Sequence, residues 1–272
     1  MTALLAHYRI ALFPFLLFTA ILFSPVTKAA EPSLTLSFGT QTTQLTRAEL
    51  LKLPTAKRIS IANDIAYHTA MHYQAVPLAT LIPNLSQLET VQFVSTDGFV
   101  ANIPAAVLAG AGQPWLAIEA PDVAWPSLKS GKSAGPFYLV WLTPDKATIS
   151  PEQWPYQVAK IIETEPLEKR YPQIVPKVDS KAAINGMHMY AIHCAACHQI
   201  NGGGDAAIGP DLNKPFNPTE YFQDAFLRKL IRNPSLVRDW PQRTMGVFTT
   251  KDLSESQLDD LMVYLRQMAK QR

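Results

Sequence analysis

The chain has 272 residues, of which 47% are apolar and 17% are charged, as is usual for a globular protein. Its formal net charge of +2 excludes the basic surplus that nucleic-acid-binding proteins carry. The length suggests about two domains, and a total of two cysteines excludes a disulfide-rich scaffold.

The first thirty residues have the pattern of a secretory signal peptide. Arg9 supplies positive charge, an apolar run covers residues 10–23, and small residues at Ala29 and Ala30 offer a cleavage site. A helix over this run would span about 21 Å, which is short of the hydrocarbon core of about 30 Å. We therefore expect residues 1–30 to be a cleaved signal peptide, with an uncleaved membrane anchor as the alternative.

Residues 31–165 are predicted to form a β-rich α+β domain, because short strand-like segments are separated by proline and glycine turns. Asp97-Gly98 stands between two apolar segments and is a strong hairpin signal. Thr46 and Glu49 form a capping box that opens a helix over 47–52. The predicted strands cover residues 34–38, 58–61, 91–95, 99–103, 115–119, 137–142 and 156–164, and a helical turn is expected at 77–82.

The polar and aromatic residues of this domain have ordinary interpretations. His68 and His72 have the i, i+4 spacing of a helical metal site, but Pro77 follows closely and the glutamate of an HExxH motif is missing. We interpret both histidines as surface or loop residues, and Asp97 and Asp122 as turn residues. The aromatics expected in the core or at its rim are Trp115, Trp125, Trp141 and Trp154.

The second half of the chain changes to helical periodicity. Residues 166–179 carry three prolines among charges and are predicted to be a linker. From residue 180 to residue 272 the apolar residues recur with the period of a helix, which predicts an all-α domain. Helices are expected at 181–192, at 219–231 and from 254 to about 270, where Ser254 and Gln257 form a second capping box.

The most informative motif is Cys194-Ala195-Ala196-Cys197-His198, at the end of the first of these helices. Two thiols separated by two residues and followed by His form the attachment signature of a c-type haem. Each thiol adds to one vinyl group of the porphyrin, and the adjacent imidazole binds the iron. The motif therefore predicts one covalently bound haem c, held by Cys194, Cys197 and His198.

A CxxC motif also occurs in zinc sites and in redox-active dithiols. A zinc site needs a second pair of ligands, and the chain has no other cysteine to provide it. A dithiol redox pair is expected after a strand in a βαβ unit, whereas this motif follows a helical segment.

The second half resembles class I cytochrome c. The resemblance is carried by the N-terminal helix, the CAACH motif, Gly209-Pro210-Asp211-Leu212, the Met245 loop and the final helix with Tyr264. It implies that the carbonyl of Pro210 accepts a hydrogen bond from His198, and that Leu212 packs on the porphyrin. It also implies export, because bacteria attach haem outside the cytoplasm.

The sixth iron ligand is predicted to be Met245. This residue lies in a loop between two predicted helices, and a thioether ligand favours Fe(II) and so raises the potential. Gly246 follows it, where class I cytochromes more often have proline. An open or different sixth position is the alternative. The rival side chains lie on helices or beside the motif, and they are Met187, Met189, Met262, Met268, His188 and His193.

The first half resembles the molybdopterin-binding fold of the sulfite oxidase superfamily over residues 34–165. The resemblance is carried by four segments, at residues 45–54, 73–78, 95–99 and 135–141. The catalytic members of that superfamily bind molybdenum through a cysteine, which this region lacks, and its Lys and Arg residues form no evident cluster for a cofactor phosphate. The resemblance therefore implies a cofactor-free derivative of the fold.

These features predict a periplasmic monohaem c-type cytochrome that carries single electrons between periplasmic redox proteins. The N-terminal domain is expected to be a docking or scaffold module, and a membrane is an expected partner only if the signal segment is not cleaved. Two alternatives remain. One is a haem-containing part of an oxidoreductase whose N-terminal domain binds a pterin or small substrate, and the other is a haem-based ligand sensor.

Overall fold

The computed structural model describes residues 30–206, 208–240 and 243–272, and residues 31–272 form one compact unit. The signal peptide predicted for residues 1–30 lies outside the described residues, apart from Ala30. The strands are β1 (Ser33–Phe38), β2 (Gln41–Thr46), β3 (Lys57–Ile61), β4 (Met71–Pro77), β5 (Thr90–Ser95), β6 (Val100–Pro104), β7 (Pro114–Ile118), β8 (Phe137–Trp141) and β9 (Val158–Thr164). The helices are α1 (Arg47–Leu51), α2 (Leu78–Leu81), α3 (Ala105–Leu108), α4 (Leu167–Arg170), α5 (Lys181–His193), α6 (Pro218–Tyr221), α7 (Asp224–Arg232) and α8 (Glu255–Ala269).

The N-terminal region consists of two sheets, and the C-terminal region is helical. One sheet has the order β2-β1-β9-β5-β6 and the other has the order β3-β4-β7-β8. Paired strands are antiparallel except for β1 and β9, which are parallel. Strand β9 is the last strand in sequence, but it is the middle strand of the five-stranded sheet. The chain therefore continues to the helical region from the middle strand of that sheet.

A single apolar core lies within the two-sheet region and draws side chains from both sheets. All five residues of β8 are buried, as expected for a strand covered on both faces. The prediction of core tryptophans is confirmed, since the four indole side chains are at most 9% exposed: Trp115, Trp125, Trp141 and Trp154.

The predicted hairpin and the first capping box are confirmed. Strands β5 and β6 pair on either side of Asp97-Gly98, where Gly98 has a φ of +92° and Asp97 Oδ1 accepts a hydrogen bond from the Phe99 amide at 3.1 Å. A φ in this range favours glycine, which is why the turn forms here. Thr46 and Glu49 exchange the two hydrogen bonds of a capping box at the start of α1.

Strands β2 and β4 were not predicted from the sequence. Strand β2 is an edge strand of mostly exposed polar residues, so it lacks the alternation of apolar side chains that reveals a strand. Strand β4 contains His72, whose Nδ1 lies 2.8 Å from the Ser60 hydroxyl, while His68 lies in the preceding loop. Both imidazoles are exposed, as predicted, and they share no helical face.

A buried carboxylate organises the polar centre of the two-sheet region. Asp64 is 2% exposed and accepts hydrogen bonds from the hydroxyls of Tyr73 and Tyr138, at 2.8 and 3.2 Å. The amides of Ala66 and Tyr67 donate to the same carboxylate, at 2.9 and 3.0 Å. These four bonds hold the β3–β4 loop against the core, because each one satisfies a polar group that water does not reach.

The segment predicted as a linker, residues 166–179, is packed against the helical region. It contains α4 and a 3-10 turn at Pro172–Ile174. Leu167 and Ile174 are buried in the apolar cluster of the helical region, and the hydroxyl of Tyr264 donates to the Ile174 carbonyl at 2.8 Å. These contacts attach the segment firmly to the helices that follow.

The helical region is held together by the crossing of α5 and α8. The two helices meet at Gly186, where a Cβ atom would overlap with the Asp260 carbonyl and with Tyr264. Asn185 Nδ2 also donates to the Asp260 carboxylate at 3.0 Å. Only glycine allows the backbones to approach this closely, so the crossing point is fixed by one residue.

The predicted helix over 219–231 is wrong in one respect. The chain forms two helices there, α6 and α7, which are separated by extended residues at Phe222 and Gln223. Asn217 caps α6 by accepting from the Thr219 amide at 2.9 Å. The helices predicted at 181–192 and from 254 onwards are confirmed as α5 and α8, including the capping box of Ser254 and Gln257. None of the helices in the described ranges combines the length and apolar character needed to cross a membrane.

The pH dependence of unfolding tests the buried carboxylate. Burial raises the pKa of Asp64, and the hydrogen bonds that it accepts only partly oppose this. Its ionisation is therefore easier in the unfolded chain, and stability falls as pH rises from the ordinary carboxyl range through the raised pKa. Asp64→Asn removes this loss while keeping the shape of the side chain. We expect its advantage over the unsubstituted protein to grow with pH across that window and then to stay constant.

Urea unfolding followed by far-ultraviolet circular dichroism at a series of pH values measures this difference. The exposed Asp122→Asn is the control and should follow the unsubstituted protein. If the stability of Asp64→Asn and that of the unsubstituted protein changed with pH in parallel, the raised pKa of Asp64 would be contradicted.

Candidate haem-attachment site

The cysteine motif forms a tight turn directly after α5. The amide of Cys194 bonds to the Tyr190 carbonyl at 2.9 Å and ends the helix. The amides of Cys197 and His198 then bond back to the Cys194 carbonyl, at 3.0 and 2.8 Å. Both thiols and the imidazole therefore lie within one turn, as attachment to a single porphyrin requires.

The ring of His198 is oriented by a backbone carbonyl. Its Nδ1 lies 2.8 Å from the carbonyl oxygen of Pro210, which is the contact that the sequence resemblance implies. Because a carbonyl only accepts, Nδ1 carries the proton and Nε2 keeps a lone pair for a metal. Burial lowers the pKa of His198, although the bond to Pro210 opposes it, so the neutral ring that binds metals is favoured.

Gly209 is required by the close approach of the chain to this ring. A Cβ atom at Gly209 would overlap with the imidazole of His198. The Gly209 amide also donates to the Cys197 carbonyl at 2.8 Å. A larger residue would displace either the imidazole or the Pro210 carbonyl, and the orientation of the ring would be lost.

The motif and the loop after it are also held by the side chains of Tyr190 and Asp211. The hydroxyl of Tyr190 donates to the His198 carbonyl at 2.8 Å, and its ring packs on that of Tyr264 of α8 with 5.7 Å between centroids. The carboxylate of Asp211 accepts from the amides of Gly202 and Asn213, at 2.6 and 2.7 Å. The loop after the motif is therefore tied to the Gly209–Leu212 segment.

The thiols lie in an environment that disfavours thiolates. Burial raises the pKa of Cys194, and it raises the pKa of Cys197 to about 11. The carboxylate of Glu152 contributes in the same direction at both thiols. A redox-active dithiol acts as a thiolate, so this environment does not suit one. Within the described ranges no group of three or more His, Cys, Asp or Glu side chains is placed to hold a metal ion.

Met245 and Leu212 pack partly buried against the same apolar cluster as Cys194. The Met245 carbonyl accepts from Arg243 at 2.7 Å, and the Leu212 amide donates to the Gln199 carbonyl at 2.8 Å. The rival methionines on helices are buried core residues, and these are Met187, Met262 and Met268. The remaining rivals differ, since Met189 is partly buried on α5, His188 is exposed, and His193 is buried and bonded to Glu152.

The part of the chain that follows the motif is rich in exposed apolar side chains. Seven of the ten large apolar side chains found exposed in the described ranges belong to residues 208–247. Monomeric proteins rarely expose many such groups close together unless they contact a ligand or a partner. The seven side chains are Ile208, Phe216, Tyr221, Phe226, Leu236, Trp240 and Val247.

Residues 183–269 match the family model Cytochrome c. No curated protein sequence matches the chain at a significant level. The helical region of the protein therefore contains a cytochrome c domain, and such a domain implies a covalently bound haem c.

The donor set of this cytochrome c domain fits a haem. Two half-buried thiols stand three residues apart, and a neutral imidazole with a free Nε2 follows directly. Gly209 leaves room for the imidazole, and Leu212 and Met245 pack on the same apolar cluster as Cys194, which suits a large apolar group. Cys194 and Cys197 would hold the haem covalently, and His198 would bind its iron.

Sequence reasoning missed the contacts that the N-terminal region makes with the loop after the motif. Asp205 accepts two hydrogen bonds from the guanidinium of Arg170, at 2.5 and 2.8 Å, and one from Asn102 of β6 at 3.0 Å. Tyr171 donates to it as well, at 2.9 Å. Burial opposes ionisation of Asp205, but these donors outweigh burial and lower its pKa. Nothing in the local sequence marks these residues, since the pairs are 34 to 103 positions apart.

Adding a methyl group at Gly209 tests the orientation of the imidazole. In Gly209→Ala the new Cβ forces the His198 ring away from the Pro210 carbonyl, and overpacking of this kind costs about 1–3 kcal/mol. We expect a smaller fraction of chains with covalent haem and a lower melting temperature. Haem absorbance per chain and thermal unfolding measure both effects.

Gly246→Ala is the matched control, because a Cβ there meets no atom within 4 Å. If Gly209→Ala attached haem and unfolded as the control does, the close approach at His198 would not matter.

Proposed function

We propose that the protein is an exported monohaem cytochrome that accepts and donates single electrons. The observation that carries the proposal is the geometry of His198, which directly follows Cys197 in a cytochrome c domain and whose ring is held by the Pro210 carbonyl with Nε2 free. A bound haem would supply an iron that alternates between two oxidation states.

The residues of the chain would hold this iron in one environment in both states. Pro210 keeps the proton on Nδ1 of His198, which fixes the orientation of the ring and raises its basicity. The amides that bond to Asp211 and the hydroxyl of Tyr190 keep the surrounding backbone in place. A site that does not rearrange between oxidation states suits fast electron transfer, because little nuclear motion accompanies each transfer.

Met245 is proposed as the sixth ligand. Its loop position and its packing on the same apolar cluster as Cys194 support this choice over Met187, Met262 and Met268, which fill the core. If His198 and Met245 both held the iron of a bound haem, no position would be left for a substrate or a small gas, which favours electron transfer over catalysis and over ligand sensing.

The N-terminal region is proposed as a docking or scaffold module with the fold of the molybdopterin-binding domain of sulfite oxidases but without its cofactor. The observation behind the missing cofactor is that both cysteines of the chain lie in the haem motif. We propose residues 31–165 and 180–272 as the two domains. Export to the periplasm, and redox proteins there as donor and acceptor, follow from the proposed signal peptide at residues 1–30.

Replacing Met245 tests the sixth ligand. Met245→Leu keeps the volume of the side chain but removes the sulfur, so the charge-transfer band of Met-ligated ferric haem should disappear and the potential should fall. Met262→Leu is the control and should keep the band, because Met262 is fully buried in the core. Exchanges between Met and Leu cost less than about 1.5 kcal/mol, so both variants should fold. A band that survives in Met245→Leu would remove this residue as the ligand.

Metal analysis of the purified full chain tests the function as a whole. We expect one iron and one covalent haem per chain and no molybdenum. Molybdenum equimolar with the chain would support a pterin-dependent oxidoreductase instead. Carbon monoxide that binds the reduced protein without unfolding it would support a haem sensor.

A further inference from the structure

The N-terminal region contacts the haem motif itself. The amide of Val100, at the start of β6, donates to the carbonyl of Ala196 at 3.3 Å, inside the CAACH motif. A 3-10 turn at Pro151–Gln153 packs beside α5 and places Glu152 Oε2 3.2 Å from Nδ1 of His193. His193 is the last residue of α5 and directly precedes Cys194. A carboxylate of the N-terminal region, that of Glu152, therefore contacts the residue next to the first haem-attachment cysteine.

The pair of Glu152 and His193 is shielded from water. Their side chains are 15% and 4% exposed. Among the ion pairs of the described residues, Glu152 takes part in this one alone, so it forms no ion pair with a Lys or Arg there. A carboxylate in such a position is screened weakly by water and salt, so its charge acts over a longer distance than that of a surface group.

A second carboxylate lies in the turn of the β5–β6 hairpin, which contacts the motif through Val100. Asp97 is exposed, and its Oδ1 accepts from the Phe99 amide at 3.1 Å. The neighbouring Gly98 lies close to Ile208, just beyond the motif. Strand β6 of the same hairpin donates the Val100 amide to the Ala196 carbonyl at 3.3 Å, so Asp97 and Glu152 both lie on segments of the N-terminal region that contact the haem-attachment segment.

The ring of His193 also contacts the segment that follows Met245. It packs edge-on against Phe248, with 5.6 Å between centroids and 79° between ring planes. Phe248 is buried, and its amide bonds to the Arg232 carbonyl at 3.1 Å. Glu152 thus holds the His193 ring, which belongs to α5 and packs on Phe248 in the segment after Met245. Glu152 therefore affects the haem site in two ways, by fixing the position of this ring and through its negative charge.

We infer that the N-terminal region sets the reduction potential of the haem, with Glu152 as a positioning residue and Asp97 as a weaker second carboxylate. Fe(III) haem carries one more positive charge than Fe(II) haem, so a nearby negative charge stabilises the oxidised state and lowers the potential. The inference rests on the proposed function, since it requires a haem at Cys194 and Cys197. It gives the N-terminal region a role in the chemistry of the site beyond docking.

The test is the reduction potential of the full-length, haem-loaded protein, measured by spectroelectrochemical titration. Glu152→Gln removes the charge and keeps the shape, so the potential should rise. Glu152→Asp keeps the charge and should return the potential most of the way to its original value. Asp145→Asn is the matched control, because it removes an exposed carboxylate from the same region. Its shift should be small and should vanish at high salt, whereas the shift of Glu152→Gln should persist.

Asp97→Asn gives an independent reading, because it changes an exposed loop residue and should leave folding intact. It should raise the reduction potential by less than Glu152→Gln does and by more than Asp145→Asn does. If the Glu152→Gln protein cannot be produced in folded form, the potential of Asp97→Asn alone tests the inference. Haem-loaded Glu152→Gln and Asp97→Asn with potentials no higher than that of Asp145→Asn would overturn the inference. An unsubstituted chain purified without covalent haem would instead overturn the proposed function.

Discussion

The packing of α5 on α8 is the contact on which the haem-attachment site depends. The two helices approach closely only because Gly186 has no side chain to collide with Asp260 and Tyr264. The CAACH motif continues directly from α5. The ring of Tyr190 packs on Tyr264 of α8, and its hydroxyl donates to the carbonyl of His198. The position of the imidazole is therefore set by the helix crossing on one side and by the Pro210 carbonyl on the other.

Local patterns were sufficient to predict the parts of the protein that short-range chemistry determines. The CAACH motif predicted a cytochrome c domain, and residues 183–269 match that family model. The hairpin at Asp97-Gly98 follows from the backbone freedom of glycine. The break between α6 and α7 was not predicted, because apolar periodicity continues across it. The edge strand β2 was missed because it is polar, and its formation depends on pairing with β1.

Long-range polar contacts could not be predicted from the sequence. Arg170 and Asn102 meet at Asp205, and Glu152 meets His193, only after the two-sheet region has packed against the helices. These contacts make the two-sheet region and the cytochrome c domain parts of one compact unit. For a protein proposed to carry electrons, this means that the N-terminal region is a permanent component of the electrostatic surroundings of the haem.

The central claim is that the protein carries one electron at a time on a single haem. Coulometric titration of the full-length protein under anaerobic conditions, with the haem absorbance recorded at each step, tests it most directly. The account predicts that each chain takes up one electron and that the haem absorbance follows a single one-electron Nernst curve. Uptake of two or more electrons per chain, or uptake that leaves the haem absorbance unchanged, would contradict it, because a second redox centre would then be present.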